Sequence, residues 1–265
     1  DRYFDVFVEY AKDGPDAMLV RISAVNRGPE AAPLHLLPTL WCRNDWSWTP
    51  GHPRPRIAAD PVRATRLTVS HPLLPPYRLD VEPAGALLFT ENESNSQQLW
   101  GTPGPAHAKD AFHDWLVHGR AEAVNPARVG SKATAHYRRV LQPGETWVIR
   151  LRLQPDTAEA KPLDEGFDAL FAQRIAEAEA FYRRVTPFEM PEDLRRVQRQ
   201  AFAGLLWSKQ YYHYFVDRWL KGDPGQPTPP PQRRQGRNRG WWHLDAADVL
   251  SMPDKWEYPW FAAWD

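Results

Sequence analysis

Residues 241–265 hold most of what could do chemistry in this chain. Trp241, Trp242, Trp256, Tyr258, Trp260 and Trp264 stand among His243, Asp245, Asp248, Asp254, Lys255, Glu257 and Asp265. An indole or phenol face is apolar and flat, and the C–H face of a pyranose ring lies well on it. The ring's hydroxyls need short polar partners that both donate and accept. Aromatic faces interleaved with carboxylates, an imidazole and an ammonium therefore suit a sugar surface. Glycosidic bond cleavage also needs a carboxyl group that stays neutral to protonate the leaving oxygen. An apolar setting raises a carboxyl pKa by desolvation, and Asp265 follows Phe261-Ala262-Ala263-Trp264. The same residues have plainer readings: tryptophans filling a core, and an aspartate beside or capping a helix.

Composition narrows the classes. The 265 residues carry 33 Lys and Arg against 33 Asp and Glu, so no global field draws the chain to nucleic acid or an anionic membrane. The only basic run with aromatics, "QRRQGRNRGWW", reads as a solvated loop rather than a single-strand binder. No apolar run approaches 18 residues, which excludes a transmembrane helix. The one cysteine, Cys42, cannot form an internal disulfide and reads as a buried thiol. One cysteine and no leader sequence point to the cytoplasm, although the chain starts without Met and reads as a fragment at both ends. No nucleophile elbow and no phosphate-binding glycine loop occurs. His113 and His118 in "DAFHDWLVH" lack metal-ligand spacing. "TENESN" (90–95) is oxygen-rich enough to consider calcium, with a turn as the better reading, so no cofactor and no metal is expected.

The elements that must position these residues fall into two parts. "YFDVFVEY", "AMLVRISAVN", "LHLLPTLWCRN", "RATRLTVS", "GALLFTEN", "ATAHYRRVL" and "ETWVIRLRL" alternate with period two between Gly, Pro and Asn. This predicts an antiparallel β-sandwich over 1–155, with "QPGE" (142–145) turning one strand into the next as a hairpin. Residues 46–60 and 95–108 read as long loops. From about 156 the period changes: Phe167, Leu170, Phe171, Ile175 and Phe181 mark a helix with Asp164 as N-cap, within a helical linker over 156–190. A second helix is expected from near Pro191 to Leu220, where the third segment, 191–265, begins. "KGDPGQPTPPPQRRQGRNRG" then excludes regular structure.

The run "SMPDKWEYPWFAAWD", with "AGLLWSKQYYHY", "NRGWWHLDAADV", "LHLLPTLWCRNDWSW", "TENESN", "KDAFHDWLVHG" and "NPARVGSKATAHYR", resembles glycoside hydrolase family 63 and its bacterial relatives, the mannosyl-oligosaccharide glucosidase group. The resemblance covers nearly all of the chain. It implies an α+β multidomain protein: an N-terminal β-sandwich, a helical linker and the truncated start of an (α/α)6 barrel. It implies inverting hydrolysis of α-glucosidic or similar bonds in oligosaccharides or small glycosides; the charge balance already argues for no nucleic-acid or membrane partner. It maps the general acid onto Asp265 and leaves the general base outside this sequence, so the fragment alone is expected to be inactive. Trp241, Trp242, Asp254, Lys255, Trp256, Glu257, Tyr258 and Trp260 are expected to bind or frame the sugar. A carbohydrate-binding module without catalysis and a related (α/α)6 glycoside phosphorylase are the alternative functions.

Overall fold

The computed structural model describes residues 1–47, 51–159, 161, 163–186, 188–223 and 226–251. The chain divides into two compact units, one of residues 1–47 and 51–176, the other taking in 177–265. The division falls within a helix, Glu165–Val185.

The first unit opens with strands β1 (Phe4–Lys12), β2 (Met18–Asn26), β3 (Ala32–Leu36), β4 (Thr39–Trp41), β5 (Arg56–Ala59), β6 (Arg66–His71), β7 (Leu74–Glu82) and β8 (Ala86–Thr90). Helices α1 (Ser96–Trp100) and α2 (Ala111–His118) follow, then β9 (Val129–Gly130), β10 (Lys132–Leu141), β11 (Thr146–Pro155) and helix α3 (Glu165–Val185). One antiparallel sheet has the order β1-β2-β11-β7-β6-β5-β9. In the other, β10 pairs with β3 and β4 and also with β8. The inner faces share one core. Ile22, Ile57, Leu67, Leu79, Ile149 and Leu151 of the large sheet meet Phe89, Ala133, Ala135 and Tyr137 of the small one. This is the antiparallel β-rich layer pair that period-two alternation demands.

Alternation also explains the opposite face. In β11, Trp147, Ile149 and Leu151 point inward, which turns Arg150 and Arg152 outward. That arginine-lined face is covered by α3. Phe167 and Phe171 pack with Ala11, Leu19 and Leu163. Arg21 lies 4.5 Å from the Phe171 ring centroid, and Arg150 Nη2 pairs with Asp168 at 2.6 Å. Asp164 accepts the Gly166 N–H at 3.1 Å, as an N-cap side chain does. Arg152 forms a buried ion pair with Asp13, which Lys161 also reaches at 3.1 Å. Burial pulls the Asp13 carboxyl up, but these two cations together hold it below its usual range.

Three local expectations are corrected. First, "QPGE" is a turn, with Glu145 N bonded to Gln142 O at 3.0 Å and Gly144 at φ +74°, but it is not a hairpin within one sheet. Its strands β10 and β11 lie in different sheets. The crossing is fixed by buried Asn26, whose Nδ2 donates to Leu141 O at 2.9 Å while its main-chain carbonyl accepts from Gly144 N at 2.8 Å. Second, β7 was not anticipated, because Pro75 and Pro76 open it. Its pairing with β11 starts only at Tyr77, beyond both prolines, so no ladder bond is lost. Third, the loop regions contain elements: β5 within 46–60 and the short α1 within 95–108.

The second unit contains α4 (Glu192–Trp207), β12 (Lys209–Phe215), α5 (Val216–Lys221) and β13 (Asp245–Ser251). The single helix expected from 191 to 220 is therefore corrected: it ends at Trp207, and "KQYYHYF" forms a strand. Aromatic residues lose side-chain freedom in a helix and fit a pleated surface, which favours the strand here. β12 and β13 pair antiparallel from Lys209↔Ser251 to Phe215↔Asp245.

Candidate functional site

The β12–β13 ladder clamps the base of a long excursion, residues 216–244. Its ends meet where Val216 N donates to Leu244 O at 3.0 Å. Inside the excursion, "QPTPPPQRRQGRNRG" forms no strand or α-helix, as its proline and glycine content dictates. Pro231–Gln235 makes one 3₁₀ turn. Asn238 adopts a left-handed φ of 64°, a conformation that Asn tolerates better than most residues. Its side chain donates to Tyr214 Oη at 3.1 Å, and its carbonyl accepts from Trp241 N at 2.9 Å. This one turn ties the Trp241-Trp242 pair to the strand.

Trp241 and Trp242 are 59% and 63% exposed. Both rings contact His243: Trp241 stacks at 6.0 Å with 22° between planes, and Trp242 meets it edge-on at 5.8 Å and 88°. The two indoles are thus presented outward with an imidazole between them. Neither residue is buried among the described residues.

A cavity of about 450 Å³ opens in the same unit, between the end of β12, α5 and the proline segment. His213, Tyr214, Trp219, Asp223 and Arg233 line it. Arg233 lies 3.9 Å from the Trp219 ring centroid and donates to Trp219 O at 3.1 Å, so one indole face is covered by a guanidinium. Arg218 pairs with Asp223, and His213 Nε2 stands 3.4 Å from Asp245 Oδ1. An aromatic floor with imidazole, carboxylate and guanidinium at its rim can hold a polar, flat-faced ligand by stacking and paired hydrogen bonds. Trp219, Tyr214 and Arg233 were missed by the sequence reading. The alternation of "KQYYHYF" could have found Tyr214, but nothing in the sequence links Arg233 to Trp219.

Of the expected sugar-contacting residues, Asp254, Lys255, Trp256, Glu257, Tyr258 and Trp260, with the expected acid Asp265, lie outside the described residues. In the first unit, the "TENESN" acids have protein partners. Glu91 Oε2 accepts from Ser131 Oγ at 2.6 Å. Glu93 accepts from Trp46 Nε1 at 2.9 Å and pairs with Arg54. His113 and His118 meet edge-to-face at 6.2 Å on α2. Among the described residues, no group of three His, Cys, Asp or Glu is placed to hold a metal ion. No helix among them is long and apolar enough to cross a membrane.

No protein-family model matches the chain. An uncharacterized protein of Saccharomyces cerevisiae is 38% identical over 301 residues, which takes in 99% of this chain and 28% of the yeast protein. The chain thus spans between a quarter and a third of that curated relative. An Escherichia coli K12 crystal structure, provisionally described as an aldose 1-epimerase, is 12% identical and covers 58% of this chain and 60% of its own, with a TM-score of 0.32. That likeness is too slight to place the fold or the site.

Proposed function

We propose that this chain is the β-rich unit and adjoining segment of a carbohydrate-active enzyme, an inverting hydrolase of α-glucosidic or related α-glycosidic bonds. The observation that carries the reading is the outward presentation of Trp241 and Trp242 around His243, in the unit that holds the Trp219 cavity. Indoles that are more than half exposed leave ring surface free, and a sugar ring is a ligand that such a surface suits. The resemblance of "SMPDKWEYPWFAAWD" to glycoside hydrolase family 63 supplies the reaction class. In this reading Asp265, kept neutral by its apolar sequence neighbours, protonates the leaving oxygen. A carboxylate supplied by polypeptide beyond this sequence activates the water on the opposite face. Trp241 and Trp242, with Trp256, Tyr258 and Trp260, hold the sugar against that acid, and Asp254, Lys255 and Glu257 bind its hydroxyls.

The test uses the complete polypeptide with a panel of α-linked disaccharides. Trp241→Ala and Trp242→Ala are expected to raise KM for the cleaved sugar by about tenfold each, the cost of one lost stacking face. Unchanged KM in both variants would remove these indoles from the site. Saturable sugar binding with no turnover by the wild type would replace the hydrolase with a binding module.

A further inference from the structure

The two sheets of the first unit do not close along one edge. The inner face of β1 overhangs the small sheet, so Val6, Val8 and Tyr10 are exposed although they point toward the core side. An apolar cleft of about 440 Å³ results, walled by these three with Val20, Leu36 and Leu151. A second cavity of about 490 Å³ adjoins it and shares the side chains of Met18, Leu40 and Leu153. Methionine yields readily to a ligand, so this shared wall can part along the cleft's length. Each volume falls in the range of small-molecule sites, about 300–1,000 Å³.

The outer cavity ends in charge. Lys12 and Arg43 line it against a single acid, Asp16, with the His71 imidazole beside them. Lys12 and Arg43 are exposed. The Lys12 ammonium donates to the Pro15 carbonyl, and His71 Nδ1 accepts from Leu73 N at 3.1 Å, which leaves Nε2 directed elsewhere. An apolar cleft beside a cavity whose rim carries two cations, one acid and an imidazole matches a ligand with an apolar tail and an anionic head.

We infer that this cleft binds a single-chain amphipathic anion of the long-chain carboxylate class, its tail between β1 and the β3–β4 segment and its head at Lys12, Arg43 and His71. The inference does not depend on the sugar reading.

Cys42 lines the outer cavity and can report on its occupancy. Decanoate, dodecanoate and dodecanol are titrated into the complete polypeptide, with the rate of Cys42 alkylation by iodoacetamide, read on the peptide that carries Cys42, as a second readout. Dodecanoate is expected to bind saturably and to slow alkylation at least about tenfold. Each added methylene tightens binding about fourfold. Dodecanol binds about tenfold more weakly than dodecanoate, and Lys12→Glu with Arg43→Glu abolishes that preference while leaving the melting temperature in place. Three results would overturn the inference: no saturable binding, carboxylate binding that leaves Cys42 alkylation unchanged, or a carboxylate preference that survives both charge reversals. A polypeptide segment that protects the β3 edge amides of Ala32–Leu36 from exchange, with no carboxylate binding, would overturn it as well.

Discussion

The two units bury their apolar side chains to very different degrees. In the first, both sheets are covered twice. Their inner faces share a core, α3 lies over one outer face, and α2 with Phe112 and Trp115 lies over the other. In the second, Val216 is the one buried apolar residue among the described positions after Ala176. Phe181, Leu194, Val197, Leu205 and Leu206 are exposed there, and Trp207 is 82% exposed. The apolar stripe of α4 has the periodicity of a packed helix without the burial. What holds the second unit locally is directional: the β12–β13 ladder, the Thr186–Gln198 hydrogen bond at 2.6 Å and the ion pair of Arg199 with Glu179. Arg199 draws the Glu179 carboxyl below its usual range. The first unit is secured by what it hides, and the second displays the aromatic residues that the proposed chemistry uses.

The contrast can be broken most forcefully in the core. Phe89→Ala removes a fully buried ring and should cost about 3–5 kcal/mol, whereas Trp207→Ala, with little buried, should stay within about 0.5 kcal/mol. Urea unfolding of both variants checks this, and equal losses would erase the distinction between units. Next in size is Arg152→Ala. Breaking a buried ion pair costs about 3–5 kcal/mol, but Lys161 remains beside Asp13, so about 2 kcal/mol is expected by the same measurement. Amide exchange then sharpens the comparison. β2, β10 and β11 should protect to the level of global unfolding, and β12 and β13 should exchange through local opening at much lower cost.

The smallest effect is a pH dependence beneath α2. His35 Nδ1 and His136 Nε2 are 2.8 Å apart, the rings stack, and Trp115 packs edge-on against His136. Burial, then His35 and Arg138, lowers the His136 pKa from its ordinary value of 6.5. The unfolded chain therefore binds this proton more readily than the folded one. Stability from this group is complete above 6.5, declines as pH falls through that value, and levels off below the lowered folded pKa. His136→Gln should flatten that part of the urea midpoint against pH, while an unchanged slope would assign it to other groups.

How much of this was legible in the sequence depends on how locally each feature is determined. "AMLVRISAVN" and "ETWVIRLRL" announce both strand and face, since alternation alone sends Ile149 inward and Arg150 outward. The Asp164 cap was legible for the same reason. The sheet membership of β10 and β11 was not, because Asn26, more than a hundred residues away, directs the crossing. The end of α4 at Trp207 was hidden by an apolar period that runs on into "KQYYHYF", where pairing with residues 245–251 decides for a strand. For the candidate site, the exposed aromatic pair could be found by composition. The approach of Arg233 to Trp219 across the proline segment is a tertiary event that no spacing encodes.

The proposed sugar chemistry is best tested at the anomeric carbon. The complete polypeptide and its Asp265→Asn variant are given the α-linked disaccharide that the wild type cleaves, and the first product is followed by proton NMR before mutarotation. Wild type is expected to release the β-anomer, and the Asn variant, unable to protonate the leaving oxygen, none above background. Release of the α-anomer, or an Asn variant as fast as wild type, would contradict it.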